Sequence, residues 1–433
     1  MLAESISIGL QLACALLLLA SGAAVWALWT GCRVLRGLAR VNTRDDSPIL
    51  LKSPRVPAVS VLAVARGASP RSRAFARRLL ELVFGHHELV LVLEGISADD
   101  MAVWIREFHL IPSHRSTSGE LPASRVTAAY ESTDPLSLLV LQKEGAGEAD
   151  SWNAAVNAAA SPVIALYDPD SEFTPESLLR LIRPMLDEPD LVFAVCSAAP
   201  APPAAGLPGS YGDIEATRLW MGRSAAFAKE KNMVMPVPGS TILVRRDAIV
   251  AAAGFPAGPL ELFLHLQGRA RHAGKPYRAA FVPEPVSYLP AAHTFGELRR
   301  RIQNEQRSLS TALRHRKAIM DGRYAIGWGL PAIAFYRFWR PLLETAMYVA
   351  AIVGLLTGLV TPGLGLLVFL TTVAAGILVS MSAVVLRELA DFRGSDPSRL
   401  IRLFWATIPE NLGYRQVRNL WLIGGFLSRR TLP

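Results

Sequence analysis

Val163-Ile164-Ala165-Leu166-Tyr167-Asp168-Pro169-Asp170 is the stretch whose reading decides the fold. Its apolar run, bounded by Pro162 and Pro169, predicts a short strand in a sheet covered on both faces. The strand runs into a turn that carries two carboxylates, Asp168 and Asp170. Two aspartates one residue apart at the carboxyl end of a strand can share one hard divalent cation. Mg2+ or Mn2+ prefers carboxylate and phosphate oxygens, so such an ion can in turn neutralise a diphosphate. The same residues also suit an Asx-type turn around a proline, in which the carboxylates serve only the local backbone. Both readings are carried forward.

Outward from this strand the chain alternates strands and helices. Residues 57–66 and 88–94 read as strands, with a helix between them bearing Phe75, Leu79, Leu80 and Leu82 on one face. A helix near 99–108 and a strand at 138–141 continue the pattern. Such alternation predicts an α/β domain with a parallel sheet and helices on both faces. In such a sheet, ligands bind outside the carboxyl ends of the strands. Glu94, Asp168 and Asp170 all end strands, so one cleft can hold all three. The segment Gly145 to Asn153 is glycine-bearing and leads into a helix just before the central strand. Residues 197–210, rich in Pro, Ala and Gly, predict an irregular surface loop. Further on, 237–246 reads as a turn and strand, 260–273 as a helix, and 281–283 as a short edge strand.

The flanks have a different composition. The chain has 433 residues, is 51% hydrophobic and carries a net charge of +9. Its mean hydropathy of +0.29 is high for an ordinary soluble enzyme and predicts membrane segments. Residues 6–32 hold no charge and are long enough for one span; Arg33, Arg36, Arg40 and Arg44 follow, which predicts an outside N-terminus. Residues 345–386 are again free of charge and are broken by Thr361-Pro-Gly-Leu-Gly365, which predicts two spans at 343–361 and 364–386 joined by an external turn. A linker is expected over 33–56, an interfacial helix over 326–341 and an amphipathic tail over 387–433. The basicity follows the apolar runs and lacks interleaved aromatics, so it argues for membrane topology and against nucleic acid. The three cysteines fit no metal or disulfide framework. A basic helix over 294–316, with Arg299, Arg300, Arg301, Arg307, Arg314 and Arg316, has two readings. It can lie at the interface with arginines reaching lipid phosphates, or it can hold an acceptor or diphosphate beneath the membrane.

In order along the chain, these residues resemble a membrane-bound family 2 glycosyltransferase of the processive kind that includes cellulose and hyaluronan synthases. The landmarks are Val59-Ser-Val-Leu, Asp168-Pro-Asp170, Val237-Pro-Gly-Ser-Thr-Ile-Leu-Val-Arg-Arg-Asp247, Gly274-Lys-Pro-Tyr-Arg278, Val282-Pro-Glu-Pro-Val286 and Glu410-Asn-Leu-Gly-Tyr-Arg-Gln416. The resemblance runs over nearly the whole chain from Val56. It implies a cytoplasmic GT-A domain over 57–316 with a mostly parallel sheet, plus transmembrane and interfacial helices. It also implies Mg2+ or Mn2+ on Asp168 and Asp170, a UDP-linked nucleotide sugar as donor, and nucleotide contacts from Glu94, Asn153, Asp168 and Asp170. Membrane lipid and other polysaccharide-synthesis subunits are the further partners it implies, and the bacterial inner membrane is the implied location.

The sequence departs from the family pattern at four places. Glu94 stands where an Asp usually meets the base. Glu148 stands where a Lys is usual in the segment before Asn153. The usual Glu-Asp pair, whose Asp is the acceptor-side base, falls on Gly258-Pro259, which leaves Glu261 as the nearest carboxylate for that role. The Gln-x-x-Arg-Trp motif falls either on Arg300-Arg301-Ile302-Gln303-Asn304 or, further on, on Gln303 to Arg307, and in neither register is the Trp present. Two functions follow as expectations: an inverting hexosyltransferase that builds a surface polysaccharide or glycolipid, or a catalytically degenerate subunit that scaffolds or regulates such a complex.

Overall fold

A computed structural model describes residues 2–41, 47–67, 69–115, 118–133, 137–145, 147–196, 199–200, 206–229, 239–272, 278–282, 286–314, 335–390 and 397–427. The chain divides into two compact units: Val41–Ala199 with Val234–Leu289, and Met1–Arg40 with Pro200–Met233 and Pro290–Pro433. Residues 200–233 and 290–316, expected inside the α/β domain, thus belong to the unit that holds the apolar helices.

The first unit is built on strands β1 (Val59–Arg66), β2 (His87–Glu94), β3 (Leu110–Pro112), β4 (Val126–Ser132), β5 (Leu138–Lys143), β6 (Val163–Leu166), β7 (Glu172–Phe173), β8 (Phe193–Cys196), β9 (Ala199–Pro200), β10 (Thr241–Arg245), β11 (Ala279–Phe281) and β12 (Ser287–Leu289). The main sheet has nine strands in the order β11-β8-β10-β6-β1-β2-β5-β4-β3. Its centre, β6-β1-β2-β5, is parallel. Only β4 and β10 run against the rest, so the sheet is mixed with mostly parallel strands, as the alternating pattern predicts.

Both faces are covered, which is why the central strands are apolar along their length. Val59, Val61 and Ala63 of β1 and Leu89, Leu91 and Leu93 of β2 point to one face. They pack with Leu79 and Trp104 from the helices Pro70–Leu80 and Ala98–Glu107, and with Leu178 and Ile182 of Ser177–Asp187. The helix Glu148–Ala158 lies on β1 and β2, and its buried Ala154, Ala155 and Ala158 let it approach closely. The register pairs Arg66 with Glu94 and Glu94 with Lys143. The carboxyl ends of β1, β2 and β5 therefore form one edge, which Leu166 of β6 continues into Tyr167 and Asp168. Because β10 is antiparallel to β6 and pairs Ile242 with Leu166, the residues before β10 reach that same edge.

The second unit is helical. Its helices are Leu2–Val41, Leu207–Lys229, Phe295–Arg314, Arg340–Leu356, Pro362–Ala390, Pro397–Pro409 and Arg415–Leu427. Among the described residues, three segments are long and apolar enough to cross a membrane: Leu2–Gly37, Arg337–Leu356 and Pro362–Ala390. The last two cover most of the spans expected at 343–361 and 364–386. The linker expected over 33–56 is in part helical: residues 33–41 continue the helix Leu2–Val41 and Ser47–Lys52 is a short helix, while 42–46 lie outside the described residues. So do most of the expected interfacial helix, the Gly274–Arg278 landmark except Arg278, and residues 283–285 of the Val282–Val286 landmark. Of the 326–341 stretch, the described part is a π-helical turn, Phe335–Trp339, running into Arg340–Leu356. The tail is not a bare amphipathic ribbon. Leu403, Ala406, Tyr414 and Leu422 are buried in a cluster with Tyr211, Leu298, Ile302 and Val384.

Candidate functional site

The strand-end aspartates form the Asx turn that the sequence allows. Asp168 Oδ1 accepts the backbone N–H of Asp170 at 2.8 Å, which is the Asx turn. Its Oδ2 accepts the N–H of Gly239 at 2.6 Å, which ties the turn to the segment entering β10. Ser287 of β12 donates its hydroxyl to Gly239 O at 2.9 Å and fixes that segment in turn. Asp170 points to solvent, where it meets Arg71 at 3.0 Å; the two side chains are 75% and 72% exposed. Such an exposed pair is worth only about 0–1 kcal/mol, so a ligand cation can displace Arg71 at little cost.

Among the described residues, no group of three or more His, Cys, Asp and Glu side chains could hold a metal ion. The two aspartates instead offer the donor set of a hard cation that takes one or two carboxylates and completes its shell with phosphate and water oxygens. By the chemistry of their donor atoms, Asp168 and Asp170 would suit Mg2+ or Mn2+ in that manner.

Glu94 closes β2 and is buried; it accepts a hydrogen bond from the Ser151 hydroxyl at the start of the helix Glu148–Ala158. Beside it, Lys143 ends β5 with its side chain fully buried and paired to Asp150. Asp150 also accepts the N–H of Ser124 at 2.6 Å and its hydroxyl at 3.0 Å. Burial pushes the Lys143 ammonium below the ordinary lysine range, and the charge of Glu94 opposes that shift. The sequence reading, which ends this strand at residue 141, misses Lys143. The signal was a basic residue closing an apolar strand directly across from Glu94.

Asn153 is held from both sides. Its Oδ1 accepts the N–H of Phe255 at 2.8 Å, and its amide donates to Pro122 O at 3.1 Å. Gly254, at φ +87°, makes this approach feasible: a Cβ there would stand 2.4 Å from Asn153 Oδ1. Trp152 stacks on Phe255 with centroids 5.4 Å apart and donates its indole N–H to Glu148 at 3.3 Å. Glu261 lies in the first turn of Pro259–His272 and is buried. A Cβ on Gly258 would sit 3.0 Å from Glu148 Oε1 and 3.4 Å from Glu261 Oε2, so the two carboxylates share the space beside that glycine. The structure thus brings Glu148, which stands where a Lys is usual, beside Glu261, the carboxylate nearest the expected base.

Arg300, Arg301, Gln303 and Arg307 lie on Phe295–Arg314, in the helical unit rather than in the unit of the sheet. Arg300 is exposed, while Arg301 donates to Pro290 O at 2.7 Å. Gln303 backs onto Gly425 of the last helix, where a Cβ would stand 3.3 Å from its carbonyl oxygen. Arg307 is half-buried. Arg316 lies outside the described residues. The helix buries Leu298, Ile302 and Leu309.

The helical unit also holds acids to which the sequence reading gives no role. Glu215 accepts two bonds from Arg418, both at 2.7 Å, and lies 3.6 Å from Arg337. Asp213 binds Arg387 and Arg399, Glu410 binds Arg218 at 2.8 Å, and Glu344 binds Arg340 and Arg415. Burial alone would raise the Glu215 carboxyl, but Arg418 and Arg337 outweigh it and hold it down at about 2.

Residues 124–249 match the family model for glycosyl transferase family 2. No protein of curated function matches by sequence. Among solved structures, the chain is similar to the mannosyltransferase PcManGT from Pyrobaculum calidifontis, solved with GDP-Man and Mn2+. The identity is 16%, with 95% of this chain and 99% of that one covered and a TM-score of 0.56. A weaker likeness is to glucosyl-3-phosphoglycerate synthase from Mycobacterium tuberculosis, at 14% identity, 62% and 81% coverage and a TM-score of 0.38. The fold is that of the GT-A glycosyltransferases, and the segment from β4 through β10 carries the family 2 match.

Proposed function

We propose that this chain, a GT-A fold with a family 2 glycosyltransferase segment, transfers a sugar from a nucleotide sugar to an acceptor at a membrane surface, with inversion. The observation that carries this reading is the carboxyl edge of the sheet. There Asp168 is braced by Gly239, Asp170 lies open to solvent, Glu94 closes the neighbouring strand, and Asn153 is fixed within the helix Glu148–Ala158. Asp168 and Asp170 would hold Mg2+ or Mn2+, which when bound neutralises the leaving diphosphate. Glu94, with Lys143 behind it, borders the nucleoside pocket. Glu261 takes the proton of the acceptor hydroxyl as its oxygen bonds to the sugar's anomeric carbon, and the bond to the diphosphate breaks with its electron pair on the leaving group. The three apolar segments suit an integral protein with the sheet unit in the cytoplasm, and the product class is a surface polysaccharide or glycolipid.

Purified full-length protein given UDP- and GDP-sugars with Mn2+ should release nucleotide diphosphate above an Asp168→Ala control. Equal release from both proteins would remove this reading.

A second reading is favoured by one observation: a carboxylate, Glu148, and not a cation, stands beside Glu261. On that reading the chain is a degenerate subunit that scaffolds or regulates a polysaccharide-synthesis complex. Nucleotide binding without turnover, together with co-purification of an active synthase, would favour it.

A further inference from the structure

The helical unit contains a cleft of about 550 Å3 between Leu2–Val41 and Pro362–Ala390. Its walls are Gly22, Val25, Trp26 and Trp29 on one helix and Leu378, Met381, Ser382 and Val385 on the other. The size falls within the roughly 300–1,000 Å3 of small-ligand clefts. Gly22 and Ser382 open it by supplying little bulk, and the lining is almost wholly apolar. One end is not apolar. Trp29 carries the Arg33 guanidinium over its ring at 4.8 Å, and Arg33 is exposed. Gly22, Val25, Trp26, Trp29 and Arg33 form one stripe at helical spacing, so the greasy channel ends on a cation. Arg36 follows one turn later and is also exposed.

We propose that this cleft binds one anionic phospholipid, its acyl chain along the Gly22–Trp29 and Leu378–Val385 walls and its phosphate on Arg33. Indoles prefer the depth of the headgroups, and an arginine there attracts lipid phosphate. A partner helix is a poorer fit, because an apolar helix brings no anion to the cation at the end of the groove. The proposal rests on the membrane placement above.

The test uses full-length protein in a neutral detergent, with phosphatidylglycerol or phosphatidylcholine titrated in and bound lipid counted by native mass spectrometry. One phosphatidylglycerol should be retained in preference to phosphatidylcholine. Arg33→Gln should weaken that retention about fivefold. Gly22→Leu should abolish it, since a Cβ at Gly22 meets nothing within 4 Å and the side chain enters the cleft; an unchanged monodisperse peak in chromatography checks that this variant is folded. Equal retention of the two lipids, or retention unchanged in Gly22→Leu, overturns the proposal. So does a change of oligomeric state in Gly22→Leu by light scattering, which would make a second copy the occupant. Alkaline extraction of membranes separates the two levels. A chain released by carbonate removes the membrane reading itself, whereas a chain that stays yet keeps no phosphatidylglycerol removes only the lipid site.

Discussion

Asp170 and Glu344 are both carboxylates held by arginine, and they put the same ion pair to opposite uses. Asp170 and Arg71 meet in water, each nearly three-quarters exposed. Glu344 is 2% exposed and is gripped by Arg415, by Arg340 at 3.0 Å and by the Asn419 amide at 2.9 Å. Gly376 has no side chain because Arg415 and Asn411 fill the place where a Cβ would stand. Taking the buried pair apart leaves a charge with no water to receive it, whereas taking the exposed pair apart costs almost nothing. Asp170 at the sheet edge is thus available to a ligand, and the paired acids of the helical unit are committed to holding helices together.

The sharpest way to break this contrast is Glu344→Ala. Stranding Arg415 should cost roughly 3–5 kcal/mol, read as loss of the monodisperse peak in fluorescence-detected chromatography. A well-behaved Glu344→Ala protein would mean that the helical unit does not depend on its buried pairs. Next in size is Asp168→Ala, which should lower nucleotide release by about 10²–10³ while the melting temperature moves far less than for Glu344→Ala. If Asp168→Ala unfolds the protein instead, the Asx turn and the Gly239 bond are its whole purpose.

Acid should act on the helical unit in a defined window. The Glu215 carboxyl, held down at about 2 by Arg418 and Arg337 against the effect of burial, has an ordinary value near 4.5. Its stabilisation is therefore complete above the ordinary value and lost as pH falls from there through about 2. The melting temperature should decline between pH 5 and pH 3, and Glu215→Gln should flatten that slope; parallel slopes would assign the decline to other groups. The smallest effect belongs to Arg71→Ala, which should change stability by less than about 1 kcal/mol. It should also tighten the apparent Mn2+ affinity measured by calorimetry with UDP, because the competing cation is gone. Weaker Mn2+ binding in Arg71→Ala would show that Arg71 assists the ligand instead of competing with the ion.

Much of the sheet was legible because its residues carry their own signals. An apolar run of four between prolines reads as a covered strand, and the β-branched and leucine run of β2 does too. Asp168, Asp170 and Glu94 were found because they follow such runs. Lys143 was missed because a lysine at a strand end is ordinary until register sets it across from Glu94. Asp213 and Glu215 were missed because their partners lie about 170 to 200 residues away, at Arg387 and Arg418. The basic helix over 294–316 was read by its exposed arginines, while its apolar face and Gln303 answer to the tail.

By itself, the sequence determined where strands and apolar helices form and which turn carries the paired aspartates. These are matters of local hydrophobic period, proline placement and charge along one segment. Tertiary structure alone decided that Gly239 braces Asp168, that Lys143 backs Glu94, that Glu148 meets Glu261 beside Gly258, and that the arginines of the tail neutralise acids far upstream. Each of those joins residues distant in the chain, and only the folded register and the exclusion of water fix which charge faces which.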